Sequence, residues 1–65
     1  MSNILISVIL VYNQKVGQLQ PVAAGKTYGL AQESYNDWER KHIADDEWDL
    51  GYKEHHYLSF YEPNG

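Results

Sequence analysis

The sequence predicts a small single-domain α+β fold, an antiparallel sheet packed on one main helix, in the order β-β-α-(short α)-β. Three observations lead there. Residues Ile4 to Tyr12 are rich in β-branched side chains and free of Gly and Pro, which suits an extended chain on a pleated surface. Residues 28–44 repeat their apolar positions at helical spacing, with Ala31, Ser34, Tyr35, Trp38 and His42 on one stripe. Residues Tyr52 to Tyr61 then return to a strand-like composition. The expected domain is 1–65, ending in a frayed tail at 62–65.

The first strand has Ile4, Ile6, Val8, Leu10 and Tyr12 on one face and Leu5, Ser7, Ile9 and Val11 on the other. Both faces are apolar, the pattern of a strand covered on both sides. One helix covers one face, so the other needs a loop, a second copy or another protein. Ser7 interrupts the run and is expected to bond to backbone. Asn13, Gln14, Lys15 and Gly17 supply turn chemistry. Val16 to Ala24 returns as a second strand, placed at an edge because Pro21 cannot donate to a ladder, and Gly25-Lys26 ends it.

Thr27 is the expected N-cap of a helix from Tyr28 to Ala44. Glu33 and Asp37 toward its start, and Arg40, Lys41 and His42 toward its end, suit the helix dipole; Asp37 and Lys41 form a favourable i,i+4 pair. Asp45 then caps a short helical turn, Asp46 to Leu50, with Gly51 as its left-handed terminator. In the last strand Tyr52, Glu54, His56, Leu58 and Phe60 alternate with Lys53, His55, Tyr57, Ser59 and Tyr61.

With 65 residues and no cysteine, the chain has neither a large core nor disulfides to support it. Two Trp, six Tyr and one Phe leave aromatic packing and oligomerisation as the means of stabilisation. The apolar start lacks the basic lead and the cleavage site of a signal sequence and is too short to span a bilayer as a helix. A cytoplasmic protein is expected, without membrane contact.

The charge is one-sided. Residues 1–32 carry only Lys15 and Lys26, whereas residues 33–65 hold all nine acids against Arg40, Lys41 and Lys53, a balance of −6. The densest run is Asp45-Asp46-Glu47-Trp48-Asp49. Concentrated like charge opposes compaction and favours a partner of opposite sign. Its plain alternative is a solvated loop. The candidate partner-binding residues are Glu33, Asp37, Asp45, Asp46, Glu47, Trp48, Asp49 and Glu54. A row of carboxylates imitates the phosphates that basic grooves bind, and Trp48 or Tyr52 would anchor such an interface.

Chemistry finds less support. His55 and His56 are neighbours in a strand and point to opposite faces. His42 with Asp45 or Asp46 has ligand spacing but lacks a third ligand, so no metal or other cofactor is expected. No serine lies in a nucleophile elbow, Gly25 and Gly29 form no phosphate loop, and the carboxylate pairs lack burial to tune them. An enzyme is not expected. Direct nucleic-acid binding is disfavoured too, because the five basic residues form no stripe.

In its length, its Asp45–Asp49 run and its aromatic-rich second half, the chain resembles the small acidic inhibitors encoded by bacteriophages, of the anti-CRISPR and DNA-mimic type. The resemblance is one of type and transfers no residue role. It implies an inhibitor of a protein with a basic nucleic-acid-binding surface, such as a CRISPR effector complex, acting in the host cytoplasm. The alternative is a structural or assembly protein that homodimerises through its apolar first strand. Salt separates the two, since carboxylate-led binding weakens with ionic strength and an apolar interface barely responds.

Overall fold

The computed structural model describes residues 3–61, with side chains from 5 to 59. The tail expected at 62–65 and the side chains of Ile4, Phe60 and Tyr61 lie outside the described residues. Four elements follow in order: β1 (Asn3–Asn13), β2 (Gln18–Gly25), α1 (Tyr28–His42) and β3 (Trp48–Tyr61). The strands form one antiparallel sheet in the order β2-β1-β3. The doubly apolar strand thus takes the centre, and Pro21 lies on an outer strand as its missing N–H requires.

The β1–β2 hairpin is built around Asn13. Its side-chain oxygen accepts hydrogen bonds from the Lys15 and Val16 amides at 2.9 and 3.0 Å, and the Gly17 amide donates to the Asn13 carbonyl at 2.7 Å. Gly17 has φ of 80°, a left-handed conformation that costs glycine little. One bulge interrupts this pairing: Ile9 faces Ala23 while Leu10 faces Pro21, leaving Val22 as the extra residue.

Thr27 caps α1 by accepting from the Leu30 amide at 3.2 Å. The helix lies over β2 and β1 and buries Ala31 and Tyr35 against Ile9, Val11 and Ala23. Val22, Trp38, Trp48 and Leu50 pack around this core. Of the expected stripe, Ala31 and Tyr35 are buried, Trp38 and His42 are half-buried, and Ser34 is exposed. Ser34 is rotated about 60° from Ala31 around the helix axis, which carries it past the contact.

The short helix expected at Asp46–Leu50 does not form. Residues 46 and 47 make a turn, Trp48 already belongs to β3, and Gly51 lies within that strand without a positive φ. The physical reason is packing: the Trp48 ring meets Trp38 edge-on at 5.1 Å, and Leu50 joins the core. Pairing jumps from Val11–Lys53 to Tyr12–Asp49, so Leu50, Gly51 and Tyr52 form a wide irregularity rather than a helical turn. Asp45 keeps a capping role of another kind, accepting from the Glu47 amide at 3.0 Å.

Candidate interaction surfaces

The eight candidate partner-binding residues occupy several parts of the fold. Glu33 and Asp37 are exposed on α1, and Asp37 pairs with Arg40. Asp45 and Asp46 are exposed in the connection from α1 to β3. Asp49 is exposed opposite Tyr12, its carboxylate accepting from the Gly51 amide at 3.1 Å. Glu54 pairs with Leu10 and accepts a hydrogen bond from His56 Nε2 at 2.8 Å. It therefore lies on the sheet face away from the helix, because its neighbour Lys53 reaches the Tyr35 ring on the helix side.

Glu47 and Trp48 are tied into the fold. Both are half-buried. The Glu47 carboxylate accepts from Asn13 Nδ2 at 2.7 Å, and its carbonyl accepts from the Gln14 amide at 2.7 Å. Trp48 covers Trp38, and Trp38 stacks in turn on His42 at 4.6 Å. The exposed acidic set is thus Glu33, Asp37, Asp45, Asp46, Asp49 and Glu54. Among the described residues, carboxylates meet a basic side chain only at Asp37 and Glu54.

A polar and aromatic cluster missed in the sequence joins α1 to β3. Ser7 shares a hydrogen bond of 2.5 Å with His55 Nε2, rather than bonding to backbone as expected. Tyr28 stacks on His55 at 4.4 Å, and Tyr57 stacks on the same ring at 5.3 Å. Ser7 is only 1% exposed, so its hydroxyl is sealed from any substrate. The three histidines work separately: His42 donates from Nδ1 to the Trp38 carbonyl at 2.8 Å, His55 meets Ser7, and His56 meets Glu54. The alternation of β3 carried the signal for this arrangement, since it placed His55 and His56 on opposite faces.

The titration of Tyr35 is clearly displaced. Burial pushes its phenol up to about 12, reinforced by the hydrogen bond it donates to Glu39 at 3.0 Å and by the Glu39 charge. That interaction belongs to the core and creates no exposed acid or base.

The remaining surface is the sheet face turned away from α1. Leu10 and Val8 of β1, Pro21 of β2, and His56 and Leu58 of β3 surround a shallow apolar depression there. Tyr12 and Tyr52 stack at 5.2 Å toward the hairpin end of the same face. No second layer of this chain covers it among the described residues. None of the helices is long and apolar enough to cross a membrane among the described residues. No family model, curated protein or solved structure matches this chain.

Proposed function

We propose that this protein is a stoichiometric inhibitor, which presents a carboxylate-rich, DNA-mimicking surface to a nucleic-acid-binding partner, in the manner of phage counter-defence proteins of the anti-CRISPR type. The supporting observation is the lack of compensation at the acidic surface. Glu33, Asp45, Asp46 and Asp49 are exposed and meet no basic side chain among the described residues. Such charge repels itself and is relieved by a cationic surface. Glu47 and Trp48 position the run rather than contact the partner. Binding rather than catalysis is the mode of action.

The experiment is competition for a labelled DNA duplex bound to a CRISPR effector complex, read by fluorescence anisotropy. The parent is expected to displace the duplex at low salt and to lose potency as salt rises. Asp45→Lys with Asp46→Lys should abolish displacement and lower the melting temperature only modestly, through loss of the hydrogen bond from the Glu47 amide to Asp45, because the exposed charges themselves contribute little to stability. Failure of the parent to displace DNA rejects this effector as the target. A double reversal that competes as well as the parent overturns the acidic mechanism itself.

A further inference from the structure

We infer that the groove between α1 and β3 is a binding site for a small aromatic carboxylate, with Lys53 as its charged anchor. This inference uses residues apart from the exposed acidic set and stands independently of the inhibitor reading. It begins with where the helix lies. α1 packs mainly on β2 and β1, so the helix-side surface of β3 is left beside it rather than beneath it. Strand pairing sets His55 opposite Ile9 and Lys53 opposite Val11, and paired residues share a face, here the one that carries the core. A cavity of about 180 Å³ remains between these two residues and Tyr28 and Gln32 of α1, with Ile9 as its floor.

Size and lining select the body of the ligand. An apolar protein cavity of about 150 Å³ holds a benzene molecule, so this one accommodates a single six-membered ring with a short substituent. Ile9, almost fully buried, meets the ring with apolar atoms. The Tyr28 side chain, stacked on His55 at 4.4 Å, gives it an aromatic wall. His55 is itself held through Nε2 by the buried Ser7 hydroxyl. The wall is therefore in place before a ligand arrives, which lowers the cost of ordering it.

Charge selects the substituent. Lys53 lines the cavity, and its amine lies 4.4 Å from the centre of the Tyr35 ring. That contact holds the amine against the flank of α1, and among the described residues it pairs with no carboxylate. Glu54 also borders the cavity, but strand alternation turns its side chain to the opposite face, where it bonds to His56. The chain carries −4 overall, which repels a polyanion such as a nucleic acid at long range. A single carboxylate is instead drawn at contact by a single ammonium. Once seated, the ligand bridges α1 and β3, so the melting temperature should rise with ligand concentration.

Titration of the isotope-labelled parent with benzoate, followed by NMR, tests this without any substitution. Saturable shifts should centre on Tyr28, Gln32, Lys53 and His55, with a dissociation constant of about 0.1–1 mM for a ligand this small. Benzyl alcohol keeps the ring without the charge and acetate keeps the charge without the ring, so each should bind at least about tenfold more weakly. Lys53→Met, which retains the stem, should weaken benzoate at least about tenfold with an unchanged circular dichroism spectrum. Lys53→Arg should restore most of the binding, and Lys41→Met, on the exposed side of α1, should leave it intact. A parent that shows no saturable shift up to about 10 mM benzoate overturns the inference. So do shifts centred on Leu10 and Leu58 of the opposite face, benzyl alcohol binding as tightly as benzoate, or a Lys53→Met protein that binds like the parent.

Discussion

The carboxylate of Glu47 accepts a hydrogen bond from Asn13 Nδ2 at 2.7 Å, so the centre of the acidic run is fastened to the turn of the first hairpin. Asn13 is 1% exposed, and its other side-chain atom already accepts from the Lys15 and Val16 amides. One side chain therefore shapes the hairpin and anchors the chain entering β3. Asp45 and Asp46 protrude just before this anchor, and Asp49 just after it.

Removal of that anchor should destabilise the fold. Asn13→Ala deprives two backbone amides and the Glu47 carboxylate of their partner, and each lost hydrogen bond at these part-buried sites costs about 0.5–1.5 kcal/mol. Glu47→Gln retains an acceptor for Nδ2 and should cost less than about 1 kcal/mol. Urea unfolding of both variants checks the order. Equal midpoints for the two would mean that Asn13 holds nothing beyond its contact with Glu47.

Trp38 is the hub of the aromatic layer, touching Tyr35 at 5.8 Å, His42 at 4.6 Å and Trp48 at 5.1 Å. Trp38→Ala should cost about 3 kcal/mol, near the low end for a large aromatic because the ring is half-buried. In so small a domain this removes a large share of the total stability. Trp38→Phe should retain most of it. Thermal melts by circular dichroism give the comparison, and a Trp38→Ala protein that melts like the parent would place the stabilising contacts elsewhere.

The titration of Tyr35 gives a pH prediction. Its folded value, about 12, lies above the ordinary 10.0, so the neutral phenol is the form the fold favours. Its contribution is complete below pH 10 and is lost as the pH rises toward 12. In a spectrophotometric titration a late phenol ionisation should accompany unfolding, and Tyr35→Phe should remove that late step.

Much of the frame was legible because its signals are local. Thr27 caps α1, Asn13 and Gly17 make the hairpin turn, Pro21 marks an outer strand, and alternation sends His55 and His56 to opposite faces. The stretch after Asp45 was not legible. Asp45 and Gly51 have the chemistry of helix ends, and a segment this short has no decisive periodicity. Trp48 was drawn into a strand by Trp38, ten residues earlier, which is a tertiary contact overriding local preference. The candidate surface divides in the same way. Exposure of Asp45, Asp46 and Asp49 follows from their charge, whereas the engagement of Glu47 depends on Asn13, 34 residues away. The pairing of Ser7 with His55 spans 48 residues and has no local signature.

Gly25 and Gly51 turn this contrast into the sharpest test of the fold. A Cβ on Gly25 would lie 2.6 Å from the Ala31 amide nitrogen and 2.8 Å from the Leu30 carbonyl carbon. Those are backbone atoms of α1, so the helix itself would have to lift from β2. Overpacking of this kind costs about 1–3 kcal/mol, and Gly25→Ala should lower the urea midpoint accordingly. Gly51 is different. It has no positive φ, and a Cβ there would meet only the Asp49 carboxylate at 3.4 Å. Gly51→Ala should therefore be neutral or stabilise by up to about 1 kcal/mol, through restriction of the unfolded chain. A left-handed helix terminator at this position would give the opposite sign, because alanine is strained there. Marked destabilisation by Gly51→Ala, with Gly25→Ala tolerated, would restore the short helix after Asp45 and refute the extended path of β3.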